Sequence, residues 1–440
     1  MRRTGMIIMT SLLISGCAGV PQEKPAEQAV SSVPYLFYTA TDLHYLPPSL
    51  SGGEQFSRML ANSDMKLTEY SDLILDAFID TCISDHPKAV IFTGDLTFNG
   101  EKISHQILAS KFRQLSDSGI TPLVIPGNHD IDNPAARDWS GKTAARTDSV
   151  SRTEFEEIYH ECGYDSALSK DPASLSYIYA LDDEHWILML DSARYEDNTN
   201  IYSEAGGRIR KKTIEWLEPW LKKAEAGHID VISAMHHDLT DITGFPAYVI
   251  SNAQEIRDLF AKYHVRVNLC GHTHLQYWKT INWKDESITD LMTGSLDVYS
   301  FRYGSVSWTA NDSLTYTSLS TDVQGYAEKT DRSDSFVSAF DENSAFRFMQ
   351  RSFQRSSSMF ADQNLSDEDL ELLRDVFKKQ AMYLFDGRIT EYTKLLSDAR
   401  VSRIIKSLDA RSRALLTGMS GRYTHDGCGP VTINMKKAGS

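Results

Sequence analysis

Five apolar runs in this chain each end in residues able to bind a metal or move a proton. LFYTATDLH delivers Asp42 and His44, and AVIFTGDLTFNG delivers Asp95. LVIPGNHD delivers Asn128 and His129, VISAMHHD delivers His236 and His237, and VNLCGHTH delivers His272 and His274. Any one of these has a plain explanation, because Gly, Asn and Asp are turn residues and a lone histidine at a strand end is usually a cap or a surface group. Five in one chain make a set. Carboxylate, amide and imidazole donors without a thiolate suit borderline divalent ions such as Zn, Mn or Fe. There are more donors than one tetrahedral ion needs, and the carboxylates can bridge, which points to two ions.

The elements that must position these groups are written in the same stretches. Each run is short and rich in apolar or β-branched side chains, as in strands covered on both faces. Between them, Tyr70, Leu73, Ile74, Ala77 and Phe78 recur at helical spacing, and Ile107, Leu108, Phe112 and Leu115 do much the same. This alternation predicts an α/β fold with polar groups collected at one edge of a sheet. SITDLMTG, GSVSWTA and DSLTYTSLS alternate polar and apolar residues and read as antiparallel strands that finish a second sheet. From about Asp331 the pattern turns helical, through FRFMQRSFQ, LSDEDLELLRDVFKKQAMYLFDGRI and YTKLLSDARVSRIIKSL. The second of these is opened by Ser366 and closed at Gly387. Phe360, Leu370, Leu373, Phe377, Tyr383 and Leu384 are expected to bury a small helical core, forming a packing or lid domain, with a partner-binding module as the alternative.

The chain has 440 residues and a formal net charge of -15, and its composition is globular. Its first residues, MRRTGMIIMTSLLISGCAGV, place two arginines before an apolar stretch from Met6 to Ile14. That stretch is well short of the roughly 20 residues needed to span a bilayer, so it reads as an export signal. Loss of residues 1–16 removes Arg2 and Arg3 and moves the charge from -15 to -17. Such an acidic surface argues against a nucleic-acid polymer as partner. Residues 17–33, rich in Pro, Gln, Glu and Ser, read as a flexible tether. Cys82, Cys162, Cys270 and Cys428 stand far apart without a CxxC pair, so no thiolate zinc site is written and disulfides are permitted but not demanded. Cys270 reads as packed core.

DLH, GDLTFNG, GNHD, MHH and GHTH, in this order, resemble the five signature blocks of the calcineurin-like metallophosphoesterases. Ile14-Ser15-Gly16-Cys17 resembles a bacterial lipobox, which implies acylation of Cys17 and a membrane-anchored lipoprotein on the extracytoplasmic face. The lipobox, length and C-terminal extension together resemble the lipoprotein branch of cyclic nucleotide phosphodiesterases. The resemblance implies a four-layer α/β/β/α sandwich over residues 34–325 and a smaller all-α domain over 326–440. It implies two divalent metal ions, one held by Asp42, His44, Asp95 and His274. The second is completed by Asn128, His236 and His272, with Asp95 bridging. His129 then faces the leaving group as the catalytic residue. The implied activity is hydrolysis of a small phosphoester, a cyclic nucleotide or related diester, by water activated between the ions. An exported phosphomonoesterase or nucleotidase is the alternative, and a non-catalytic metal-binding lipoprotein a further one.

Two places depart from the pattern. The fourth block usually reads His-x-Pro, and here Asp238 holds the proline position. Spacing assigns His236 as the ligand, with His237 on the opposite face of a regular strand. In the protein phosphatase branch the second block carries an Asp-Arg pair where this chain has Phe98 and Asn99, so the carboxylate that would orient His129 is missing. The polar segment after GNHD is expected to border the site, with a helix over Arg152–Glu161 started by Ser151. Asn133 and Arg137 are candidates to meet substrate there, with His105 and Tyr303 as weaker ones. His86, His160, His185, His228, His264 and His425 are read as structural or surface groups.

Overall fold

The computed structural model describes residues 35–61, 65–309, 313–332, 334–356, 365–417 and 422–435. The expected signal, the tether and Cys17 lie outside these residues, as does Phe360. The first three apolar runs become β1 (Tyr35–Ala40), β2 (Ala89–Thr93) and β3 (Thr121–Ile125), which lie parallel. Their connections carry α1 (Glu54–Ala61), α2 (Ser71–Asp85) and α3 (Lys102–Asp117). On α3, Leu108, Phe112 and Leu115 are fully buried, and the Phe112 ring stacks on Phe92 of β2 at 4.1 Å between centroids. Truncating such a ring to alanine costs about 3 to 5 kcal/mol.

After β3 come the short hairpin β4 (Arg137–Asp138) and β5 (Ala145–Arg146), then α4 (Arg152–Ile158). α4 opens with a capping box: Ser151 Oγ accepts from the Glu154 N–H, and the Glu154 carboxylate accepts from the Ser151 N–H. The chain then forms β6 (Ser169–Lys170), β7 (Tyr177–Ala180), β8 (His185–Leu190), α5 (Lys211–Ala226), β9 (Asp230–Met235) and α6 (Ala253–Lys262). β10 (Val267–Cys270), β11 (Tyr277–Trp283) and β12 (Glu286–Met292) complete a second sheet, in the order β11-β12-β10-β9-β8-β7-β6.

β13 (Arg302–Thr309) and β14 (Ser313–Ser320) correct one expectation. They extend the first sheet and not the second, β13 lying antiparallel to β1, while β12 runs parallel to β10. β1 leaves an open edge on the side away from β2, and β13 covers it, with Val306 and Trp308 buried on one face and Tyr303 buried on the other, against Phe78 of α2. Tyr303 is thereby a core residue, its ring 5.1 Å from that of Tyr38. The sheets meet where β2 packs against β9 and β3 against β8, and helices cover the outer faces, α3 on β3 and α5 on β9. This is the four-layer α/β/β/α sandwich.

The remaining helices are α7 (Val323–Lys329), α8 (Phe340–Ser356), α9 (Asp367–Phe385), α10 (Ile389–Ser397), α11 (Ala399–Ser407) and α12 (Ala410–Thr417). The stretch read as a single third helix is two, because Asp398 accepts from the N–H groups of Arg400 and Val401 and starts α11 afresh. Leu373, Val376, Phe377, Val401, Ile404 and Ile405 form the helical core. Leu384, Ile389 and Tyr392 pack instead on Ile242, Cys270, Tyr277 and Met292 at the edge of the second sheet. The C-terminal region also contains β15 (Val431–Asn434), which pairs with β14 and makes the first sheet β15-β14-β13-β1-β2-β3. None of Cys82, Cys162, Cys270 and Cys428 is paired. Among the described residues no helix is long and apolar enough to cross a membrane.

Candidate metal centre

The carboxyl ends of β1, β2, β3, β9 and β10 meet at one place. His274 Nε2 lies 3.3 Å from Asp42 Oδ1 and 3.1 Å from His44 Nε2, giving a first cluster of Asp42, His44 and His274. Asp95, His236 and His272 form a second. Asp95 Oδ2 stands 3.4 Å from His236 Nε2 and 3.9 Å from His44 Nε2, so it faces both. Asn128 joins the second cluster, its Oδ1 3.2 Å from His236 Nε2.

The backbone is strained to achieve this. Asp42, His44, Asp95, His272 and His274 all adopt the left-handed conformation, with φ from 41 to 63°. Each costs about 1 kcal/mol or more for a residue with a side chain. Cross-loop bonds hold them: the Asp42 N–H donates to Gly94 O, the His44 N–H to Asp95 O, and the His272 N–H to Asp42 Oδ2. Close approach explains the glycines of the GN and GH blocks. A Cβ at Gly127 would run into the Asp95 carboxylate, and one at Gly271 into Thr41 and Asp42.

Asp130, the last residue of GNHD, ties two of the loops together. Its carboxylate accepts from the N–H groups of Leu96, Thr97 and Gly127 and from the Thr97 hydroxyl. The same side of the loop is held by His105, whose Nε2 meets the Asp130 carbonyl at 3.0 Å. Both are positioning residues, and Asp130 was visible in the motif without any hint of this task.

The two histidines of the fourth block separate cleanly. His236 Nδ1 donates to the Thr93 carbonyl at 2.9 Å, which turns Nε2 towards Asp95 and Asn128. His237 is occupied elsewhere, with Nε2 on the Ala205 carbonyl and Nδ1 on the Ser192 hydroxyl. His129 donates its backbone N–H to Asp95 Oδ1, and its Nδ1 lies 2.8 Å from the Phe98 carbonyl and 3.2 Å from Asn99 Oδ1. A carbonyl and an amide thus orient the imidazole where the carboxylate is missing. Its Nε2 remains 3.9 Å from Asp95 Oδ2, facing the clusters.

Electrostatics follow from burial and from these neighbours. Burial alone would raise both aspartates, but His274 draws Asp42 below the usual carboxylate range, and His236 with His129 draws Asp95 well below it. For His236, burial is overcome by Asp95 and the imidazole is raised to about 9. Burial, assisted by the charge of the buried Lys66, holds His44 well below the ordinary histidine value. His129 is also lowered by burial, against the pull of Asp95 and with Lys66 adding to the fall. Lys66 is a basic neighbour of the site that sequence reading missed, because it sits in no motif.

These donors fit divalent ions. The buried Asp42 Oδ1 and His272 Nε2 make no hydrogen bond, although each points among other donors. The two substrate candidates take different tasks. Asn133 donates to the His129 carbonyl and accepts from the Ala135 N–H, which shapes the loop. Arg137 Nη1 donates to the carbonyls of Pro134 and Ala136. His160, His185, His264 and His425 pair or stack at a distance from the clusters, with Asp165, Asp182, Glu286 and Trp278.

Fold and site define a hydrolytic phosphoesterase with donor groups for divalent metals. The calcineurin-like phosphoesterase profile matches residues 37–276, and the chain belongs to that family. It is 27% identical over 239 residues to a Psychrobacter arcticus protein named "Probable cyclic nucleotide phosphodiesterase", covering 53% of this chain and 71% of that one. A protein of the same description from Psychrobacter sp. PRwf-1 is 26% identical over 188 residues, covering 42% of this chain and 46% of its own length. A solved dimetal phosphatase of Danio rerio is similar at 12% identity, with a TM-score of 0.46, over 65% of this chain and 96% of that one.

Proposed function

We propose that the protein is a dimetal phosphodiesterase acting on cyclic nucleotides or related small phosphodiesters. The observation that carries this reading is the position of Asp95, whose Oδ2 faces His44 on one side and His236 on the other. Asp42, His44 and His274 would hold one divalent ion, Asn128, His236 and His272 the other, and Asp95 both. Such ions, when bound, bring the pKa of water towards neutrality and offset phosphoryl charge.

His129 supplies the proton. With Nδ1 committed to the Phe98 carbonyl, only Nε2 is presented to substrate. Burial lowers its pKa, and the negative phosphoryl group beside it would favour the protonated form. The protonated Nε2 donates to the departing oxygen as the P–O bond breaks. Asp130 and the Asn99 amide keep the imidazole aimed. The names of the two curated relatives support the diester and cyclic nucleotide assignment.

Metal analysis after loading with manganese or zinc should find two ions per chain; a ceiling of one would end the dimetal reading. Turnover should favour bis-(p-nitrophenyl) phosphate and 3′,5′-cyclic AMP over p-nitrophenyl phosphate. A large preference for the monoester would make the enzyme a phosphomonoesterase.

A further inference from the structure

The loop after His236 and His237 departs from the site and returns to it. The Asp238 N–H donates to the Tyr248 carbonyl and the Ile250 N–H to the Asp238 carbonyl, both at 3.1 Å, so the return point is pinned beside the histidine pair. There the Tyr248 ring stands edge-on to His272, with centroids 5.1 Å apart and planes at 64°. Phe245 meets Tyr248 in turn at 6.2 Å and 82°. Three rings therefore lead from a candidate ligand to the surface.

This loop is built to hold that row. Asp241 Oδ1 accepts from the Gly244 N–H at 2.6 Å, and Thr243 Oγ1 from the Phe245 N–H at 3.1 Å. Pro246 begins a tight turn that closes with the Tyr248 N–H on the Phe245 carbonyl. Yet Phe245 is 63% exposed. Folding gains little from a phenyl ring left in water, and aromatic surface continuous with a polar site is where ligands make contact. A second loop tied to the histidine pair, at His237, also carries exposed apolar side chains. Ile201 and Tyr202 are 81% and 63% exposed, and the loop is anchored by Ala205 on His237 and by Asn198 on the carbonyls of Ile131 and Asp132.

We propose that Tyr248 and Phe245 are specificity-determining residues that receive the base of a nucleotide diester, an inference that rests on the phosphodiesterase reading above. A cyclic nucleotide with its phosphorus at the clusters and its ribose turned past His272 would lay its base along this row. A heterocyclic base offers a flat π-face to stack on such rings while its polar edge stays in water. An acyl chain gains most from enclosure, which an exposed aromatic step does not give. The acidic chain also disfavours a polyanionic extension of the substrate.

The test compares 3′,5′-cyclic AMP with the base-free 3′,5′-cyclic phosphate of ribose. In the metal-loaded wild type the ratio of their kcat/KM values should favour the nucleotide. Phe245→Ala and Tyr248→Leu should each lower that ratio about 10-fold or more, chiefly through KM for the nucleotide, with metal content and melting temperature as controls. A ratio unchanged within twofold in both variants, in enzyme that hydrolyses cyclic AMP, would overturn the base subsite alone. Wild type without turnover of either cyclic phosphate would overturn the substrate reading beneath it. A wild-type preference for an alkyl-chain phosphodiester that Phe245→Ala abolishes would assign the rings to a lipid chain instead.

Discussion

Asp95 and His129 sit within hydrogen-bond contact of one another, yet their loss should read differently. Asp95→Ala takes away the carboxylate that faces both clusters, so metal content and turnover should vanish together, as metal analysis beside a rate assay would reveal. His129→Ala should keep the metals and lose roughly 10² to 10⁴ in rate, the usual worth of a positioned proton donor. The loss should be larger for the alkoxide leaving group of a cyclic nucleotide than for p-nitrophenolate, which departs readily without a proton. Equal losses would mean that His129 acts on charge at phosphorus, and loss of metal would make it a ligand. The donors themselves were legible because each follows an apolar run. What the one-dimensional pattern withheld was occupancy. Asn133 and Arg137 looked available, but Asn133 is bonded to the His129 carbonyl and the Ala135 N–H, and Arg137 Nη1 to the carbonyls of Pro134 and Ala136. Lys66 and Asp130 carried no visible signal of their roles, since both act through residues distant in sequence.

At the scale of elements, the loops are held by buried carboxyls whose titration should be measurable. Glu101, at the start of α3, accepts from the N–H groups of Asn99 and Arg137 and joins the His129-bearing side of the site to the hairpin beyond it. Burial raises its pKa from 4.5 to about 7. The folded state therefore holds this proton more tightly than the unfolded chain. Its contribution is full below about pH 4.5 and is lost as pH rises through about 7. Glu101→Gln should flatten the fall in stability between pH 5 and pH 8 by on the order of 3 kcal/mol or less, read by denaturant titration at the two pH values. An unaltered slope would show that Glu101 is not the titrating group. The strands that deliver the site were legible from their composition, as were α2, α3 and α9 from periodicity and caps. The sheet to which β13 and β14 belong was not, because alternation records a half-buried strand and says nothing about its neighbour. The break between α10 and α11 was missed because a single aspartate, Asp398, outweighed a continuous apolar spacing.

For the molecule as a whole, the proposal is a catalytic sandwich held to a membrane surface by acyl chains on Cys17. Cys17→Ser should move the protein from the membrane fraction to the soluble extracytoplasmic fraction on cell fractionation, and unchanged retention would refute the anchor. The helical region is joined to the sandwich by charge as well as by apolar packing. Arg347 and Arg351 of α8 meet Glu69, and Asp386 at the end of α9 takes Arg302. β15 adds a connection of another kind. Its partner β14 is complete at Ser320, but β15 begins only at Val431, after all of α7 to α12. During synthesis β14 therefore remains an open edge until the entire helical region has been made. A nascent chain with an unfinished edge is exposed to pairing with its neighbours. The timing of β15 thus makes completion of the catalytic sheet a late event in the life of each new chain.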